Sequence, residues 1–317
     1  MKFIETFHEG DHISDVYLCK HRQTATAKNG KSYENVTLQD STGTIDCKIW
    51  DPGSSGIDGF KPLDYVYTVG DVTTFQGNLQ LNIKRARIAK STEYSAADYL
   101  PVSARSVDEM YQELLDILST VQNPWLKTLI NSYFNAEEFS AAFKTHSAGK
   151  TVHHSFVGGL LEHTLGVVKL CVFYCGIYPY LNHDLLITAA AFHDVGKLKE
   201  ISNFPENDYT DDGQLLGHIV MGSELVGYAC RRIKGFPHKL TSELQHCILA
   251  HHGELEYGSP KKPELAEALA LNLADYTDSR LETMKEIMAS ASKTHALDEW
   301  LGYNKLMEAN IRQTGDW

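Results

Sequence analysis

The chain has 317 residues, 43% hydrophobic and 22% charged, enough for one large or two ordinary soluble domains, each able to bury a core. Its formal net charge is −12, yet residues 1–90 hold 11 basic and 11 acidic residues, so all of the acidity belongs to the remainder. Six cysteines without a CxxC pair exclude a zinc ribbon and a small disulfide-stapled fold. The amino terminus has acids among its first nine residues and no apolar core, so no signal peptide is expected. The longest apolar region, "LGVVKLCVFYCGIYPYL", is broken by Lys169 and falls short of the roughly 18 apolar residues of a membrane span. No membrane partner is expected, and a cytoplasmic location follows.

In chain order, "HISDVYLCKHRQTATAK", "SYENVTLQD", "TIDCKIWD", "DYVYTVGDVTTFQ" and "LQLNIKRARIAK" alternate or carry β-branched runs, with Asn-Gly, Thr-Gly and Gly-Asn between them. Five strands in about 90 residues, the first long enough to serve two sheets, predict a Greek-key barrel of the OB type over residues 1–92. An SH3-like barrel is the nearest rival on pattern alone. Residues 93–104 break the period and are expected as a linker. From 105 to 317 the period turns helical, near 106–121, 135–146, 155–175, 183–197, 215–233, 239–250, 262–288 and 295–312, and an all-α domain is expected.

The helical part sets histidines beside acids in "VHHSFVGGLLEHT", "AFHDVGK", "LLGHIVMGSE" and "LAHHGELEYGSP", and "LNLADYTDSR" adds Asp275 and Asp278. A cation of the octahedral type takes several N and O ligands from rigid elements, and neighbouring cations share a carboxylate. His163, His193 and Asp275 suit one ion and His218 and His251 a second, with Asp194 bridging. Each lies in or at the end of a different helical segment, as a site inside a bundle requires. A donor set without thiolate points to manganese first, with iron or cobalt as alternatives, rather than to structural zinc.

The order "H … HD … H … HH … D" resembles the HD-domain phosphohydrolases. The fuller set of landmarks, "YENVTLQDSTGTIDCKIWD", "HHSFVGGLLEHT", "HDVGKLKE", "GQLLGHIVMGSE", "HHGELEYGSPKKPELAEAL" and "LADYTDSR", resembles the YhaM-type 3′–5′ exoribonucleases over nearly the whole chain. The resemblance implies an OB-fold followed by an HD domain. It makes His163, His193, Asp194 and Asp275 the basic ligands and His218 and His251 those of a two-metal branch, with His252 on a cation or on the scissile phosphate. "ADYTDSR" departs from the pattern by placing Tyr276 and Thr277 where a more apolar pair is expected, and Asp278 and Arg280 receive no role.

Two divalent cations activate water towards phosphate esters. Lys197 is expected to meet the phosphate as a point charge, and His153 and His154 to contact phosphate or protonate the leaving group. Ser259 and Lys261, in "YGSPKK", are expected on the substrate backbone. On the barrel, Lys84, Arg85 and Arg87 offer charge, and alternation puts both arginines on one face with Lys84 on the other. Tyr33, Trp50 and Phe75 are the aromatic candidates for stacking on bases. Core packing is the plainer reading of each aromatic, Trp50 above all, and the basic run on a neutral barrel is the better clue.

The expected activity is metal-dependent 3′–5′ hydrolysis of single-stranded RNA to nucleoside 5′-monophosphates. Single-stranded DNA is a second substrate to test, and assembly into a homo-oligomer is left open. The alternatives are an HD hydrolase of nucleotides or cyclic dinucleotides with the barrel as a regulatory module, and a binding protein without catalysis. The absence of a "GYP" pattern and the presence of the barrel count against the first. The complete set of expected ligands counts against the second.

Overall fold

A computed structural model of the chain describes residues 1–26, 30–95, 98–100, 102–150, 154–291 and 299–315. The chain divides into two compact units, residues 1–102 with 204–206 and residues 103–203 with 207–317.

In the first unit, strands β1 (His12–Thr26), β2 (Ser32–Asp40), β3 (Gly43–Ile49), β4 (Tyr65–Phe75) and β5 (Asn78–Ile88) close a barrel in the order β1-β2-β3-β5-β4. This is the OB arrangement. Its first strand is long because it has two partners: residues 12–18 pair with β4, and residues from Leu18 onward pair with β2. A bulge between Cys19 and His21 bends the strand from one to the other. Closure comes from a parallel pairing of β3 with β5, Cys47 opposite Leu81. Alternation sends Ile13, Tyr17, Leu38, Ile49, Val66 and Leu81 inward, each worth about 1.5–3 kcal/mol when buried.

Two expectations change here. Val69 pairs with Arg85 but Gly70 with Ile83, so Lys84 is the extra residue of a bulge. Strict alternation fails at that point, and Lys84 turns outward beside Arg85 instead of to the opposite face. The segment expected as a linker is in part packed structure. Tyr94 stacks on Tyr65 with centroids 3.9 Å apart, and buried Tyr99 meets both rings edge-on.

The second unit begins with α1 (Val107–Leu118), capped by Ser106, and α2 (Pro124–Phe134), capped by Asn123 with proline at its first turn. The helical period read over 106–121 and 135–146 left α2 out, although Leu126, Leu129, Ile130 and Phe134 are all buried on one face of it. There follow α3 (Glu137–Thr145), α4 (Gly159–Ile177), α5 (His183–Phe192), α6 (Lys197–Glu200), α7 (Asp211–Arg232), α8 (His238–Leu249) and α9 (Ala266–Ala291). By length and composition α4 is long and apolar enough to cross a membrane. In this fold it is a core helix, with Leu160, Leu161, Leu165, Val167 and Val168 buried among α1, α5 and α9.

The unit is not wholly helical. Where a helix is expected over 295–312, strands β6 (Trp300–Asn304) and β7 (Ala309–Arg312) form an antiparallel hairpin. Asn304 explains the difference, because its Oδ1 accepts from the Leu306 N–H at 2.9 Å and the Met307 N–H at 3.2 Å. Those donors are satisfied by a turn instead of by a helix.

Candidate metal centre and nucleic-acid surface

Every residue of α5 from Leu185 to Phe192 is buried, so this helix runs through the core and delivers His193 and Asp194 to its interior end. That position explains two costly polar residues after a greasy run. His193 Nδ1 donates to the Ala190 carbonyl at 2.7 Å, which turns Nε2 inward. Three more buried histidines are held the same way. His251, just beyond α8, donates from Nδ1 to the Ile248 carbonyl at 2.7 Å. His163 on α4 donates from Nδ1 to Asp278 Oδ2 at 2.7 Å. His218 donates to Glu200 Oε1 from both its backbone N–H and Nδ1, each at 2.9 Å.

Two glycines make the His218 arrangement feasible. Gly217 has φ +74°, a left-handed kink in α7 that aims the next residue at Glu200. At Gly196 a Cβ would stand 2.0 Å from the His218 carbonyl oxygen, so only glycine lets α7 come this close to "HDVGK".

The four imidazoles converge on Asp194. Its Oδ2 lies 3.3 Å from His163 Nε2 and 3.4 Å from His193 Nε2, while Oδ1 lies 3.4 Å from His218 Nε2 and 3.6 Å from His251 Nε2. Asp275, on α9, brings Oδ1 to 3.2 Å from His163 Nε2. Potential ligand atoms of His163, His193 and Asp275 lie within 4.8 Å of one another, as do those of His218, His251 and His252. A third such group, His154, His163 and Asp278, lies behind His163 on its Nδ1 side.

The chemistry of this donor set fits divalent cations. Asp194 Oδ2 meets the Lys197 ammonium at 2.6 Å, but Asp194 Oδ1 and Nε2 of His218 and of His251 have no hydrogen-bond partner, although all three atoms are buried. An orphaned buried acceptor costs about 1–3 kcal/mol, which a cation between them would remove. His163 and His193 put their Nε2 atoms 3.2 Å apart. Two bare lone pairs at that distance repel, so a proton or a cation belongs between them.

The electrostatics agree. Burial disfavours a charged His163, but Asp194, Asp275 and Asp278 overcome it and hold the imidazolium well above its ordinary range. Burial would raise the Asp194 carboxyl, yet the Lys197 ammonium, 2.6 Å from Oδ2, and the surrounding imidazoles keep it well below the usual carboxylate range. Asp275 and Asp278 are likewise depressed against burial, chiefly by their bonds to His163 and, for Asp278, to His154. His251 moves the other way because burial dominates there.

The remaining candidates separate. Lys197 and His252 line a cavity of about 510 Å³ together with Asp275. His154 is buried, with Nε2 3.1 Å from Asp278 Oδ2, so its partner is a carboxylate where phosphate or a leaving group was expected. His153 lies outside the described residues. Ser259 is buried, and exposed Lys261 pairs with Glu264 at 3.2 Å. Two further residues support the site. Asp278 stands three residues after Asp275, a same-face spacing on α9 that could have revealed it. Glu200 closes the quoted "HDVGKLKE", but nothing in the sequence couples it to His218.

On the barrel, Trp50 and Phe75 are 56% and 57% exposed, which overturns their reading as core. Trp50 packs against Tyr33 with centroids 5.3 Å apart, and its Nε1 donates to Asn82 Oδ1 at 3.0 Å. Lys48 lies 5.0 Å from the Tyr33 ring centroid. Arg85 is exposed, whereas Arg87 is engaged twice by Glu93 at 2.8 Å and Lys84 pairs with Asp71.

Residues 160–280 match the HD domain family. The protein named 3′-5′ exoribonuclease YhaM from Bacillus subtilis is 32% identical over 281 residues, covering 87% of this chain and 87% of that one. Its namesake from a Geobacillus species is 30% identical over 281 residues, covering 88% and 86%. Another from Oceanobacillus iheyensis is 28% identical over 276 residues, covering 87% and 86%.

Proposed function

This chain belongs to the YhaM family of 3′–5′ exoribonucleases, and from that premise we propose that it shortens single-stranded RNA from the 3′ end, releasing nucleoside 5′-monophosphates. In each cycle the oxygen of a water bonds to the terminal phosphorus, the P–O3′ bond to the penultimate nucleotide breaks, and O3′ leaves with a proton. The observation that carries this reading is the two-and-two placement of four imidazole Nε2 atoms around the two oxygens of Asp194.

His163, His193 and Asp275 would hold one divalent cation and His218 and His251 another, with Asp194 between them. Bound there, the cations supply activation of water and neutralisation of charge on the phosphate. The chain's own groups do the rest. Asp278 and Glu200 fix the rings of His163 and His218 with Nε2 facing inward. Lys197, on the cavity wall, places a positive charge where the phosphate oxygens gather charge. His252, also on the wall, is positioned to pass a proton to the departing O3′. Trp50, Tyr33 and Lys48 suit a strand whose bases stack without regard to sequence.

The test is 5′-labelled single-stranded RNA incubated with protein stripped of metal and then supplied with Mn²⁺. A ladder descending from the 3′ end is expected, with Asp194→Ala abolishing it while still binding RNA through the barrel. Intact RNA with cleaved cyclic dinucleotides or nucleoside triphosphates would overturn the assignment, and Asp194→Ala at wild-type speed would overturn the bridge. Single-stranded DNA run beside the RNA measures sugar preference.

A further inference from the structure

The cavity that begins at Lys197 and Asp275 extends past Tyr276, Ser279 and Arg280, whose guanidinium is drawn to the Leu306 carbonyl, to Glu308, in the turn of the β6–β7 hairpin. Its volume, about 510 Å³, lies inside the roughly 300–1,000 Å³ range of sites that enclose a small ligand. The hairpin is fastened to α9. Arg280 Nη1 donates to the Leu306 carbonyl at 2.6 Å, Gln313 Nε2 donates to the Met288 carbonyl at 3.2 Å, and Ile311 is buried. Glu308 itself has φ +52°, a left-handed conformation that asparagine or glycine would adopt with less strain. A carboxylate kept on a cavity wall at such a position calls for a purpose there.

We propose that Glu308 reads the 3′ end of the substrate. Its carboxylate accepts hydrogen bonds from the ribose hydroxyls of the terminal nucleotide while Tyr276 stacks on the base, so ends bearing free hydroxyls are taken and ends bearing a 3′-phosphate are refused. The inference rests on the exoribonuclease reading above. With the scissile phosphate at Lys197 and Asp275, the terminal nucleoside has the cavity as its place to go. An ionised carboxylate only accepts hydrogen bonds. A terminal diol offers two O–H donors, whereas a 3′-phosphate offers acceptors and negative charge. Tyr276, 54% exposed with the Arg280 guanidinium 5.7 Å from its ring centroid, keeps aromatic area that serves any base.

Three RNA oligomers of one sequence, labelled at the 5′ end, test this with saturating Mn²⁺. They end in a ribonucleotide with a free 3′-hydroxyl, in a 3′-phosphate, or in a 2′-deoxynucleotide with a free 3′-hydroxyl. The first cleavage is timed with wild type and with Glu308→Gln, an isosteric change at an exposed turn whose folding a thermal melt verifies. Wild type should prefer the hydroxyl end over the phosphate end by about 10–100-fold in kcat/KM, with the deoxy end between, since one missing polar partner is worth roughly that much. Glu308→Gln should cut the hydroxyl-over-phosphate preference about tenfold, mainly through a lower KM for the phosphate end, because an amide also donates. An unchanged ratio in Glu308→Gln, or equal rates on all three ends in wild type, overturns the role of Glu308 and leaves the exoribonuclease reading standing. If no oligomer shortens, that reading falls and takes this one with it.

Discussion

Replacing Glu200 with alanine should uncouple His218 from its place without touching any candidate ligand. Two buried donors, the His218 N–H and Nδ1–H, meet Glu200 Oε1 at 2.9 Å. Stranding each costs about 1–3 kcal/mol, so the metal-free variant should lose about 2–6 kcal/mol of stability. Loss of such an orienting partner weakens metal binding by about 10–100-fold. Glu200→Gln keeps the oxygen and loses the charge, and should cost about 1 kcal/mol per bond. The assay is an Mn²⁺ titration of RNA shortening with thermal melts in chelator. Glu200→Ala should need far more Mn²⁺ for half-maximal rate, with saturating metal restoring most of kcat. The pH dependence follows from direction. Burial would raise the Glu200 carboxyl, but His218 holds it below its ordinary 4.5. Its contribution is therefore complete above that value and lost as pH falls through the lowered one, so the melting difference between wild type and Glu200→Gln should shrink in acid. A Glu200→Ala protein with wild-type melting and wild-type Mn²⁺ dependence would refute the reasoning.

Two further outcomes are expected. His163, held protonated by three carboxylates, must release its proton to bind a cation, so Mn²⁺ affinity should rise with pH by up to tenfold per unit near neutrality. Calorimetry in buffers of different ionisation enthalpy should read that proton release directly, and a pH-independent affinity would exclude His163 as a ligand. Trp50→Ala should weaken single-stranded RNA binding by about 1–3 kcal/mol, measured by fluorescence anisotropy, while barrel stability changes little because the ring is mostly exposed. Unaltered binding would remove Trp50 from the strand's path.

The family and the two kinds of unit were legible in the chain because they rest on local periods and on a rare order of motifs. The five strands and most of the helices needed no coordinates. The failures are instructive. A bulge at Lys84 breaks a period of two, and no residue there announces it. The β6–β7 hairpin hides behind helix-like spacing, decided instead by Asn304 closing a turn. Trp50 looked like core because alternation alone does not say which face of a strand is inside a closed barrel.

What the sequence by itself determined, then, was the inventory: histidines and carboxylates of the right chemistry in one order, on helices with an apolar side to bury. What only the tertiary structure decided was orientation. Glu200 meets His218 from another helix, Asp278 reaches back across the bundle to His163 and His154, and Glu308 arrives on a hairpin far along the chain. Side-chain direction depends on packing between elements distant in sequence, and hydrogen-bond partners selected by that packing leave no periodic trace in the chain that forms them.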